Sequence, residues 1–224
     1  MHVISNKSIG YFAHHLNRGR QAIDEIGLLA LYKGTLIHDR FSSYFGYGCE
    51  HSLCNAHILR DFIYVEETFN ATWAKQIKEL LLDAKKTKEK NPNLKASYYS
   101  KVFKKYVSLV RPVIKNYNQI YTKTEEQRLA FALEKHKYLV LKFIKQSKFP
   151  FDNTQAERDL RMIKVKQKVS GCFRAQTHAS YFACIRGYIT TLKKNNENVL
   201  ENIRNAFLEN PFIPVCPQEL RYFL

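Results

Sequence analysis

Two acids and the cations around them are the residues of this chain whose types and spacing could do chemistry. In Phe151–Phe173, FDNTQAERDLRMIKVKQKVSGCF, turn formers lead into a helical run that carries Glu157 beside Arg158, Arg161 and Lys164 and closes at Gly171. Steps of four and three residues put Glu157, Arg161 and Lys164 on one helical face. A carboxylate aligned with cations suits a phosphate ester held against a divalent metal, since the metal takes hard oxygen ligands and the phosphate takes positive charge. A plainer reading stands beside it: Thr154-x-x-Glu157 fits a capping box, in which Glu157 only reaches back to an N-terminal amide. Asp39, after the β-prone run Thr35–His38, also has two readings. It is a metal ligand at the carboxyl end of a strand, or a turn former that caps the next element. Alternation along the strand points His38 and Arg40 away from the face that Asp39 uses.

Cys49, His51, Cys54 and His57 crowd two thiols and two imidazoles into one short stretch. The spacing is poor for structural zinc, whose ligand pairs are usually separated by a longer loop. The alternative is a strand, Cys49–Leu53, that enters a helix with Ile58, Phe62 and Val65 or Ile63 inside.

The elements that must position these residues follow from periodicity. His2–Ser5 and Gly10–His14 alternate as two strands, with Asn6-Lys7-Ser8 between them. Arg18–Ala30 has helical spacing and would cover one face of a sheet. Two strands, a helix and a strand ending in an acid is an α/β order. From Thr72 to Ser147 the pattern turns to long helices with three apolar stripes. The first is Trp73, Ile77, Leu80, Leu81 and Ala84; the second is Tyr99, Phe103, Tyr106, Val110, Val113 and Tyr117; the third runs from Leu129 through Leu133, His136 and Val140 to Ile144. Lys88–Asn93 and Tyr121–Thr124 break them. Aromatic side chains in these stripes belong to the core, so base stacking is not expected of them. Pro150 bars helix continuation, Ala179–Lys194 reads as a helix with Phe182, Ile185, Ile189 and Leu192 or Tyr188 inside, and Val199–Leu208 as a last short one. Pro211, Pro214 and Pro217 enforce an extended tail.

At 224 residues the chain can bury one good core and a second helical layer. A hydrophobic fraction of 45% is ordinary for a globular domain, and no apolar run is long enough to span a bilayer. The N-terminus has no secretory pattern, so no membrane association and a cytoplasmic setting are expected. The 5 cysteines lack a repeating spacing and read as reduced thiols. With 36 basic against 20 acidic residues, the charge of +16 favours a polyanionic partner. Residues 71–150 alone hold 19 Lys and Arg against 6 Asp and Glu. Their Lys-rich faces are either solvated or bind duplex or strand ends.

Four motifs, GTLIHDRFSSY around Asp39, CNAHILRDF at Cys54–Phe62, FDNTQAERDLRMIKVKQKVSGCFR, and TTLKKNN at Thr190–Asn196, occur in the order and character of transposases of the IS66 family. The chain resembles that family from about Val3 to Pro214. The resemblance implies an α/β, ribonuclease-H-like core in which three acids hold two divalent metals, Mg2+ or Mn2+, for DNA strand cleavage and transfer. It makes Asp39 the second and Glu157 the third of these acids, each catalytic and a metal ligand. It places Cys54, His57 and Arg60 in the family's Cys-x-x-His-x-x-Arg motif and assigns His57, Arg60, Arg161, Lys164 and Lys168 to DNA. The partners it implies are transposon ends and target DNA, with self-association left open. Thr154 departs from the family, which most often has a second Asn there. The first acid is expected on a strand preceding Met1–Ser5 and is absent. The expectation is therefore a core lacking its first strand (1–70 and 149–208) around a large basic helical insertion (71–148), with a Pro-rich tail (209–224), as a truncated and inactive copy. The alternative is a non-catalytic basic nucleic-acid-binding protein that retains the fold.

Overall fold

Alternation in HVIS and GYFA builds the first hairpin. β1 (His2–Ser5) and β2 (Gly10–Ala13) pair antiparallel, His2 opposite Ala13 and Ser5 opposite Gly10. The Asn6 side-chain oxygen accepts the amides of Ser8 (2.9 Å) and Ile9 (2.7 Å), the turn chemistry expected of Asn. In place of one helix over Arg18–Ala30 there are two, α1 (Arg20–Ile26) and α2 (Leu28–Leu31). Gly27 is the cause: at a left-handed φ of 80° its N–H returns to the Ile23 carbonyl and ends α1. β3 (Thr35–His38) and β4 (Glu50–Leu53) form a second two-stranded sheet, with a 3-10 turn over Ser42–Gly46 between them. The rest is helical: α3 (Asn55–Phe69), α4 (Thr72–Lys90), α5 (Ala96–Lys115), α6 (Glu125–Lys135), α7 (Lys137–Val140), α8 (Lys142–Lys145), α9 (Thr154–Ser170), α10 (Gln176–Lys194) and α11 (Val199–Phe207). The fold is mixed α/β and mainly helical.

This computed structural model describes residues 1–115, 122–146 and 149–214, the side chains of 154–156 excepted. Tyr117, Tyr121, Ser147, Pro217 and the Thr154 side chain of the capping-box reading lie outside the described residues. Two compact units emerge, one of Met1–Gly34, Ser42–Glu50 and Thr154–Leu224, the other of Thr35–Phe41 and His51–Asn153.

In the first unit α10 packs on β2, and does so with small residues. Its buried positions are Ala179, Ala183, Thr190, Thr191 and Leu192, while Ile185, expected inside, is 60% exposed. The helix is rotated because β2 approaches too closely for larger side chains. A Cβ on Gly187 would lie 3.2 Å from the Gly10 carbonyl oxygen, and one on Gly10 would lie 2.6 Å from Thr190 Cγ2. Thr191 Oγ1 accepts the Gly10 amide at 3.2 Å. Phe12, Ile163 and Ala183 form the core here, with Met1, Val3, Leu160 and Phe182 against it.

The TTLKKNN motif locks this unit. Lys194 Nζ lies 3.0 Å from the Asp159 carboxylate, and each of these side chains is only 8% exposed. The same ammonium donates to the carbonyls of Asn6 (2.8 Å) and Ile9 (3.1 Å) and to Ser5 Oγ, and Asn195 Nδ2 donates to the Ser8 carbonyl at 2.8 Å. One lysine thus uses its three donors to tie the β1–β2 turn to α9. The last helix forms as expected, but its apolar face points outward: Leu200 is 81% and Phe207 86% exposed.

In the second unit Ile58, Phe62 and Val65 of α3 are buried, as are Ala74, Ile77, Leu81 and Ala84 of α4. Val65, not Ile63, completes the α3 face. Of the expected α5 stripe, Tyr106 and Val110 are buried, with Val102 beside them, while Tyr99, Phe103 and Val113 are half-buried at its edge. Tyr106 donates its hydroxyl to the Leu133 carbonyl (3.2 Å), and burial raises its pKa far above the ordinary range. Thr124 and Gln127 make a full capping box that starts α6. The single stripe expected from Leu129 to Ile144 is divided into α6, α7 and α8, with breaks at His136 and Leu141.

Candidate active site

β3 ends by presenting Asp39. Its Oδ1 accepts the Phe41 amide at 3.0 Å, a local turn bond that fixes the carboxylate's direction. Beside it, the Cys54 amide bonds the His38 carbonyl at 2.9 Å, so the chain leaves β4 and enters α3 level with the end of β3. Asn153 closes the arrangement. Its Nδ2 donates to the Ile37 carbonyl (3.1 Å) and its backbone N–H to Cys54 Sγ (3.2 Å), while the Asn55 amide is taken by the Phe151 carbonyl at 3.1 Å. Phe151–Asn153 therefore runs as a strap across the end of β3 and the start of α3, meeting donors that a helix N-terminus leaves open. Asn55, 1% exposed, adds a bond from its Nδ2 to the Val140 carbonyl at 3.1 Å.

The first turns of α3 carry His57 and Arg60. Burial would raise the Cys54 thiol, but its hydrogen bonds with the His57 side chain and with the Asn153 and His57 amides hold its pKa below the usual value. Arg40 pairs with Asp61, one step along α3. Burial pushes the Asp61 carboxyl up, and Arg40, His57 and Arg60 pull it back. Three cationic or titratable donors thus surround one carboxylate near the N-terminus of a long helix, a setting that favours anions.

His38, expected on the face away from Asp39, is buried at 5% exposure. Its Nδ1 donates to the Asp39 carbonyl, so Nε2 is the acceptor that faces His51 Nδ1 at 3.2 Å. Burial drives the His38 pKa down to about 4, with the Asp39 carbonyl opposing and the His51 charge adding. Because the folded pKa lies below the unfolded one, stability is complete above about pH 6.5 and falls as pH drops toward 4, by up to about 3 kcal/mol. In EDTA, the fall in unfolding midpoint from pH 7 to 4.5 should be clearly smaller in His38→Gln than in the parent chain. Equal falls would refute this account.

In the other unit, α9 carries Glu157, Arg161, Lys164 and Lys168 along one face at steps of four, three and four residues. Asp159 and Ile163 are buried on another face, while Arg161, Lys164 and Lys168 are exposed and Glu157 is half-buried. The structure thus brings His57 and Arg60 together with Arg40 and Asp61 in one unit, and aligns Glu157 with its three cations in the other. Asn153, Arg40 and Asp61 were not among the residues singled out from sequence. Asp152-Asn153 before a helix start reads as a turn, and nothing local says which carbonyl the amide will reach.

One unit thus carries an aspartate just past the end of a strand, and the other a glutamate heading a basic helix face. The chain belongs to the IS66 family of transposases, whose family model matches residues 1–181. The TTLKKNN motif lies beyond that match. Comparison with curated proteins gives no match, and comparison with solved structures gives none. Among the described residues, no helix is long and apolar enough to cross a membrane.

Proposed function

We propose that this chain is the catalytic part of a DDE transposase with a ribonuclease-H-like core, acting on DNA in the cytoplasm, in which Asp39 and Glu157 hold divalent metal. What supports this reading is the family match over residues 1–181, together with a carboxylate at Asp39 that the Phe41 amide fixes just past the end of β3. The donor chemistry fits Mg2+ or Mn2+, which take carboxylate oxygens in partly buried sites. When bound, the metal pair supplies Lewis acidity at the scissile phosphate and makes water or a 3′-hydroxyl a better nucleophile. The chain's own part is to hold and orient. Asp39 is aimed by the Phe41 amide, His57 and Arg60 take phosphate oxygens at the start of α3, and Arg161, Lys164 and Lys168 continue that grip along α9. The segment 71–148 adds a non-specific electrostatic contact to DNA.

Two acids before Asp39 are already engaged. Asp24 meets Arg20 and the Tyr47 hydroxyl, and Glu25 meets His15 and Gln21. Neither is proposed as the third carboxylate. The second reading is a basic nucleic-acid-binding protein without chemistry, for which the +16 charge speaks. Mn2+ titration followed by water-proton relaxation separates the two. Asp39→Asn and Glu157→Gln should each weaken Mn2+ about tenfold or more, with Glu201→Gln on α11 unchanged. Equal affinity in all four proteins would leave only the second reading.

A further inference from the structure

One aromatic cluster in the helical unit is built differently from a buried core. Tyr138 on α7 is 63% exposed, yet its ring is stacked on Phe103 of α5, with centroids 5.3 Å apart and planes 22° apart. Phe103 in turn packs on Tyr99 at 5.9 Å and 31°. The result is a three-ring ladder, half-buried at the Tyr99 end and exposed at the Tyr138 end, where the Lys137 ammonium lies over the ring. The expectation that aromatic residues here are all core fails at this position, because the turn at His136 carries Tyr138 out of the buried stripe.

Phe103 also begins a shallow, open groove along one face of α5, lined by Lys104, Val107, Ser108, Arg111, Pro112 and Lys115. Its floor is apolar and its rim basic. Lys104, Arg111 and Lys115 span 11 residues of helix, roughly 16 Å of length. Pro112 has no N–H to offer the Ser108 carbonyl four residues back, which leaves that oxygen without its helical donor. At the exposed end, Lys137 Nζ lies 5.6 Å from the Tyr138 ring centroid. The acid nearby is Glu134, shared by Lys137 (2.6 Å) and Arg111 (3.5 Å), so cations outnumber it along the rim.

We propose that this ladder and groove bind unpaired DNA, with a base taking the place of the Lys137 ammonium over the Tyr138 ring and the backbone running along Lys104, Arg111 and Lys115. Single-strand sites combine these two parts, a π-face that takes any base and a line of cations that follows one backbone. Duplex does not fit the stacking half, because its bases already cover each other's faces. The site is independent of the metal reading of Asp39 and Glu157 and would stand if that reading failed.

The test uses the full chain and fluorescence anisotropy with a 15-mer of thymidine, a 15-base-pair duplex and a uridine 15-mer at one salt concentration. Tyr138→Ala should weaken the thymidine oligomer by about tenfold and leave the duplex unchanged, Tyr138→Phe should bind like the parent, and Tyr138→Trp should be quenched by the oligomer. Arg111→Ala should weaken binding and flatten its salt dependence. Unchanged single-strand affinity in Tyr138→Ala, equal losses on single strand and duplex, or no quenching of the new tryptophan would overturn the proposal. Tighter binding of the uridine oligomer would overturn its assignment to DNA. Tyr138 is 63% exposed, so circular dichroism of the variants should match the parent.

Discussion

Asp159→Ala should cost about 3–5 kcal/mol, because it strands the Lys194 ammonium in a site where both partners are only 8% exposed. The ammonium would keep its bonds to the Asn6 and Ile9 carbonyls, so the loss is that of its charge partner and of the acceptor for the Ser5 hydroxyl. Amide hydrogen exchange in Ser5–Gly10 is the sharpest readout, since the turn between β1 and β2 is what Lys194 fastens. Protection there should fall by more than two orders of magnitude, in step with the loss in urea unfolding. Replacing the pair together, Asp159→Leu with Lys194→Met, should recover most of the stability, because a buried ion pair stabilises little over an apolar one. A single variant within about 1 kcal/mol of the parent would mean that the pair is solvated and the turn is held by something else.

Phe62→Ala should cost a similar amount, about 3–5 kcal/mol, in the helical unit. Phe62 is fully buried, and its ring meets Trp73 edge-to-face at 6.2 Å and 89°. Trp73 is held from the other side by its own donor bond to Glu126 at 2.6 Å. Trp73 is also the chain's single tryptophan, so its emission reports this contact directly. The variant should show a red-shifted emission maximum and a lower unfolding midpoint, and Phe62→Leu should fall between it and the parent. The consequence reaches the candidate site, because Phe62 seats the helix whose first turns carry His57 and Arg60. An unshifted emission maximum with an unchanged midpoint would show that α3 is held elsewhere.

Much of the local structure was legible in residue order alone. β1, β3 and α9 lie where alternation, β-propensity and turn residues put them, and the Glu157 face of α9 follows from spacing. The misses have identifiable causes. Hydrophobic stripes name the inward face of a helix only where the core is made of large apolar residues. On α10 the inward face is Ala179, Ala183, Gly187 and Thr191, chosen because β2 comes close, and such residues leave no hydropathy signal. On α11 the stripe is present but unburied, because periodicity says which residues share a face and nothing about what covers it. The break at Gly27 was written in the sequence as a glycine, but a glycine inside a helical pattern is equally compatible with an unbroken helix until its φ is known.

The sequence by itself determined the family, the mixed α/β class and the basic character of the 71–150 stretch, since each depends on residue types and their order. Only the tertiary structure decided that Asn153 straps the Asp39 strand to the start of α3, that Lys194 fastens the first hairpin to α9, and that Tyr138 stands exposed on Phe103. All three depend on contacts between residues far apart in the chain, and side-chain bonds of that range are set by packing, which no local pattern encodes.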